Sequence, residues 1–184
     1  MAVALKEWAV ICDALADGST ALLLRKGGIR EGRGGFAVEH RAFFLYPTNF
    51  HQDPEQLVPA AWERLAMIPA PPAGSVPIAL WAEVEAAWRV EALEPLERLA
   101  GLHLLAPATV EARFRYRDRP WLDVLLVRAY TLERVQQIGE RPEYAGCRSW
   151  VPLAEEIAPR ECKSVLSEAR LAELHRQVCG LLTG

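Results

Sequence analysis

From Ile78 to Val90 the sequence IALWAEVEAAWRV alternates. Ile78, Leu80, Ala82, Val84, Ala86, Trp88 and Val90 fall on one set of positions, with Trp81, Glu83, Glu85 and Arg89 between them. A period of two over so many residues is a long strand with one face buried and one half-exposed. Further on, WLDVLLVRAYTL (121–132) is apolar on both faces, which marks a strand in the middle of a sheet. The chain must therefore build a sheet with 121–132 in its middle, and 78–90 adds a long, half-exposed strand.

The rest of the pattern supplies helices and shorter strands. Leu5, Trp8, Ala9, Cys12, Leu15 and Ala16 recur at helical spacing, and Gly18 follows as a C-terminal stop; this predicts an amphipathic helix over 4–17. Thr20–Arg25 reads as a short buried strand. FAVEH and RAFFLYP read as a broken strand ended by Pro47. Asp53 caps and Pro54 opens a helix with Leu57, Ala61, Leu65 and Ile68 on its apolar stripe, and Pro59 sits where a kink or a restart belongs. Residues 69–77, PAPPAGSVP, are the one linker-like stretch, a surface crossing or a junction between subdomains. EPLERLAGL and PATVEARFRY are short helices, the second with Val110 and Phe114 on one side and Arg113 off it. YAGCRSWVPL turns into a strand. The last 18 residues form a helix capped by Ser167, with Leu171, Leu174, Val178 and Leu181 along one face. Strands and long helices do not alternate regularly, so a doubly wound sheet is excluded. The expectation is a single α+β domain over 1–184: a mixed, curved or partly closed sheet of about five strands with four or five packed helices.

Composition narrows the function. The 184 residues are 51% apolar and carry a net charge of −3, so general coating of nucleic acid is excluded and only a local basic patch could hold a polyanion. Cys12, Cys147, Cys162 and Cys179 are scattered without a C-x-x-C pair, which spells no zinc site and suits free thiols in a reducing compartment. No leader or membrane-length apolar run is present, and a cytoplasmic protein is expected.

That local patch is LLLRKGGIREGRGGFAVEH. Five glycines and four basic residues share positions 25–35, and the window 25–41 is +3. Glycines expose backbone N–H groups that form anion nests, and arginines add two-pronged donors suited to phosphate. Arg25, Lys26, Gly27, Gly28, Arg30 and Arg33 are the candidate phosphate or nucleic-acid ligands. The segment is not a Walker A loop, and a solvated β-turn is the plain alternative. The next stretch adds Glu39, His40 and His51. Two histidines and a carboxylate can hold a divalent metal, or work as acid and base on a phosphate ester; otherwise the histidines are structural. Arg128 inside the central strand needs a partner, Glu83 or Glu85, unless it points into a pocket. Arg148 with Trp150 could stack on a base. Three readings follow: a phosphate or nucleic-acid-binding module; a phosphodiesterase or nuclease using Glu39, His40 and His51; and a homodimer paired through strand 78–90 with Trp81 exposed.

LKEWAVICDAL, LLLRKGGIRE, EHRAFFLYPTNFHQ, LLVRAYTL, GCRSWVPL and the VLS before the last helix together resemble DUF1802, a bacterial family of unknown function, over nearly the whole chain. The resemblance implies little activity. Members occur beside restriction-endonuclease-like domains, which implies DNA processing or defence; these 184 residues carry no such domain. The order of elements also resembles PUA-like barrels, which implies binding of RNA or modified bases.

Overall fold

The computed structural model describes residues 2–26, 40–146, 148–159 and 161–184. Its spine is β5 (Leu122–Gly139), whose first six residues are all buried, as a strand apolar on both faces must be. β4 (Ser75–Val90) runs antiparallel to it from Ser75 opposite Gly139 to Val90 opposite Leu122, with register shifts between Ile78 and Leu80 and between Val84 and Ala86. Such bulges increase twist and bend a sheet. The other edge of β5 is shared by β2 (Leu22–Arg25) and β7 (Cys162–Ser164). Beyond β4 lie β3 (Ala42–Thr48), then β1 (Val3–Trp8) parallel to β3, then β6 (Trp150–Pro152). The seven strands form a curled, mixed half-barrel, and the fold is α+β.

The helices are α1 (Ala9–Ala16), α2 (Trp62–Met67), α3 (Leu93–Glu97), α4 (Pro107–Arg115) and α5 (Glu168–Thr183). α5 begins at Ser167, whose hydroxyl accepts from the Arg170 N–H, and it buries Leu171, Leu174 and Val178. The main apolar core lies within the curl, around Leu5, Phe43, Leu45, Leu125 and Leu126. A second core forms on the other side of β1 and β3, around Ala4, Phe44, Tyr46, Tyr144 and Val151. No helix among the described residues is long and apolar enough to cross a membrane.

The structure corrects the sequence reading at its first element. Residues 3–8 are a strand, and the helix starts only at Ala9. β1 lies between β3 and β6, with Leu5 in one core and Ala4 in the other. An apolar run needed on both faces of a strand mimics helical spacing when it leads directly into a real helix. Gly18, φ +78°, does end that helix; a Cβ there would come within 2.8 Å of the Leu166 side chain. β3 is not ended by Pro47 but continues to Thr48. β4 covers β3 only at Ala42–Phe44, so the later residues have an open edge, where a residue lacking an N–H is tolerated. The stretch from Pro54 is two 3-10 turns, Pro54–Gln56 and Pro59–Ala61, before α2, with the second proline imposing the restart. The last three residues of the proline-rich segment already belong to β4. β4 is paired by β5 on one side and by β3 at Trp81–Glu83 on the other, so no free edge is left around Trp81 for pairing across a dimer. β7 was not legible in the sequence. It is three residues long and mostly exposed.

One ionic contact closes the curl. The sheet path begins at β2 and ends at β6, and Arg25 spans the gap. Its guanidinium donates to Glu7 Oε2 at 2.8 Å, to the Lys6 carbonyl at 3.0 Å and to Ser149 Oγ at 3.0 Å. Glu7 is 2% exposed and Arg25 13%, and the other Glu7 oxygen accepts from the Trp8 N–H. Removing one partner of a buried pair strands the other charge. Glu7→Ala is expected to lower stability by about 3–5 kcal/mol in urea denaturation, and a Glu7→Leu, Arg25→Met double variant to lose much less.

Candidate functional site

Arg25 is committed to sheet closure. Lys26 is also internally bonded: its ammonium donates to the carbonyls of Phe114, Arg119 and Trp121 and lies 4.2 Å from the Trp121 ring centroid. Gly27, Gly28, Arg30, Arg33 and Glu39 lie outside the described residues. His40 packs edge-on against Trp150 at 5.0 Å, and Trp150 against Phe43 at 5.1 Å. The His51 ring lies tilted against Phe50, centroids 3.9 Å apart, on a left-handed backbone. The two histidines flank opposite ends of β3, a seven-residue strand of roughly 20 Å, so the structure does not bring them together. Among the described residues no group of three His, Cys, Asp or Glu side chains stands close enough to hold a metal. Arg128 is held by Glu85 at 3.1 Å and by Glu168, while Glu83 accepts from Tyr130. Arg148 is exposed and reaches the Glu143 carbonyl.

What the structure does assemble is a cleft of about 620 Å³ beside the closure, between the ends of β1 and β2, the Pro54–Gln56 turn and α4. Lys6, Arg25, Lys26 and Arg113 line it against two carboxylates, Glu7 and Glu55. Arg113 differs from Arg25, Arg64 and Arg128, which are half-buried beside carboxylates. Its guanidinium lies 4.5 Å from the Trp8 ring centroid and donates to the Leu24 carbonyl at 3.0 Å, but no carboxylate among the described residues pairs with it. Burial, with Arg25 nearby, pulls its pKa down to about 10 despite Glu7. Arg64, Arg89 and Arg128, each hydrogen-bonded to carboxylates, are shifted upward. A guanidinium remains charged at neutral pH even so, and Arg113 is a desolvated cation without a counter-ion of its own among the described residues.

The remaining walls are polar or aromatic. Gln56 projects from the 3-10 turn, and its Oε1 is buried without a hydrogen-bond partner among the described residues. Thr109 donates to the Gln56 carbonyl at 2.9 Å, tying α4 to that turn. Tyr116, at the end of α4, is 41% exposed at the rim. After it Arg117 and Asp118 both have positive φ, +59° and +54°. Left-handed backbone at consecutive non-glycine residues is costly and persists only where surroundings hold it. The three carbonyls gripped by Lys26, at 114, 119 and 121, bracket this knuckle.

Sequence reasoning missed Arg113, Gln56 and Tyr116. A usable signal existed for the first: three residues after Val110 and one before Phe114, Arg113 stands at the border of the α4 buried face. Gln56 carried none. A second, larger groove of about 740 Å³ lies between α1, β3 and residues 68–77 and is mostly apolar. The Cys12 thiol on its wall is buried, which pushes its pKa up and leaves it a poor nucleophile.

A family model described as a domain of unknown function matches residues 4–177. The chain belongs to DUF1802. No curated protein matches it. Among solved structures it is similar to ASCH from Zymomonas mobilis, at 13% identity and a TM-score of 0.44, over 95% of this chain and 93% of that one. A point mutant of the same protein gives 12% identity and a TM-score of 0.48, over 83% and 90%.

His103 supplies a pH test of this side of the molecule. It is 8% exposed, its Nδ1 accepts from the Leu105 N–H at 3.1 Å, and burial, helped by the Arg113 charge, lowers its pKa to about 4. An unfolded imidazole takes up its proton near the ordinary value of about 6.5. Stability should therefore be complete above that pH and fall by up to about 3 kcal/mol as pH drops from 6.5 to 4. Thermal melts across this window should show the loss, and His103→Gln should flatten it.

Proposed function

We propose that the chain is a binding module for the phosphate of a nucleic acid or nucleotide, seated in the cleft with Arg113 as its principal ligand. The observation that carries this reading is that no carboxylate among the described residues pairs with Arg113. A desolvated guanidinium is costly unless an anion completes it, and this one is held on an aromatic face at the wall of an open cleft. Guanidinium groups suit phosphate through paired, planar donors. The overall charge of −3 makes a concentrated local site the only electrostatic route to a polyanion. Lys26, where the chain enters its glycine- and arginine-rich stretch, lies on the same wall.

This reading differs from the one that the basic run suggested. Arg25 and Lys26 hold the cleft in shape, and the anion goes to Arg113. Arg113→Met keeps most of the side-chain volume and removes a charge that no described carboxylate pairs with, so its stability in urea should match or exceed that of the parent. Its affinity for short single-stranded RNA or DNA, followed by fluorescence anisotropy at low salt, should fall about tenfold or more. Parent affinity should weaken steeply as salt is raised. Undiminished binding by Arg113→Met would remove the basis for the reading.

A further inference from the structure

The cleft contains more than a phosphate would use. Gln56 is fixed by its backbone: its N–H donates to the Asp53 carbonyl at 3.0 Å, and its own carbonyl accepts from the Ala106 N–H and from the Thr109 hydroxyl, both at 2.9 Å. Its side-chain amide takes no part in this, and the buried Oε1 has no partner among the described residues. A buried acceptor without a donor costs on the order of 1–3 kcal/mol, so its place on the wall of an open cleft calls for a ligand N–H or O–H. An amide also offers its own N–H beside that acceptor. Its complement is a planar edge with a donor next to an acceptor, the pattern by which glutamine reads adenine.

Tyr116 supplies the second observation. Its ring is half-exposed at the rim, the strained Arg117–Asp118 knuckle follows it, and the Arg117 guanidinium lies 5.3 Å from its centroid. Lys26, by gripping the carbonyls at 114, 119 and 121, is the positioning residue for this knuckle. An aromatic held open to solvent beside a cationic cleft is the arrangement on which unpaired bases stack.

We propose that a nucleobase, adenine as the probe of choice, enters the cleft beside the phosphate, with its edge on the Gln56 amide and its face on Tyr116. This rests on the phosphate reading and adds to it that the ligand is unpaired and base-bearing. The two are separable by experiment. Oligoadenylate strands, ribose and deoxyribose, are compared by anisotropy with an abasic strand of equal length, which keeps the phosphates and loses the bases. The parent protein should bind the adenine strands about tenfold tighter than the abasic one. Gln56→Leu and Tyr116→Ala should each bring adenine-strand binding down towards the abasic level and leave abasic binding unchanged; Tyr116→Phe should retain the preference. Arg113→Met should weaken both. The Gln56 side chain makes no hydrogen bond to a described residue, so Gln56→Leu should melt at or above the parent temperature, which guards against misreading a folding defect. Equal parent binding to adenine and abasic strands, still sensitive to Arg113→Met, overturns the base site and leaves the phosphate reading standing. A preference unmoved by Gln56→Leu and Tyr116→Ala overturns the placement. No binding of any strand overturns both.

Discussion

The contact between Glu7 and Arg25 is the constraint on which the rest of the architecture depends. β1 and β2 are far apart along the sheet path, yet the carboxylate of one and the guanidinium of the other meet out of water. Ions are brought together there only if the sheet curls enough for β2 to return against β1 and β6. The bulges in β4 supply bend, the two-sided burial of β5 supplies a rigid axis, and the ion pair, with Ser149 and the Lys6 carbonyl as further acceptors, holds the edges in register. Curling gives both faces of β1 something to bury against, which is why residues 3–8 are extended despite their helical spacing.

The same closure creates the cleft. Once Arg25 faces Glu7, the ends of β1 and β2 form one wall, and α4 crosses to form the other. Arg113 then lies between Trp8 and Leu24, in a place where a neutral side chain would pack with less desolvation. Charges at such a cost, and backbone strain of the kind at Arg117 and Asp118, concentrate where binding requires them. The grip of Lys26 on the strained knuckle joins the two features, because a side chain expected to hold a ligand instead holds the segment that shapes the rim.

Most of the site was illegible for a specific reason. The run from Arg25 to Arg33 is rich in cations, but a cation count does not reveal which are already matched by acceptors within the protein. Arg25 meets Glu7 from 18 residues away, and Lys26 meets carbonyls some 90 residues ahead. His40 and His51 are close in sequence but separated by the length of an extended strand, which a list of metal-capable residues does not register. Arg128 was readable as far as its partner, because its neighbour across the β4–β5 pair carries acids on successive positions of an alternating strand.

The sequence by itself determined the periods and the stops: an alternating strand over most of β4, a doubly apolar β5, the caps of α5 and of the turn at Pro54, an interruption at Pro59, an α+β sheet that is not doubly wound, and membership of DUF1802. These are local properties, carried by spacing and by capping side chains within a few residues. Only the tertiary structure decided that residues 3–8 join the sheet, that Arg25 and Lys26 are matched internally, and that Arg113, Gln56 and Tyr116 share a cleft. Those outcomes depend on which groups meet across long loops and how much water is left around them, and desolvation is a property of the assembled fold.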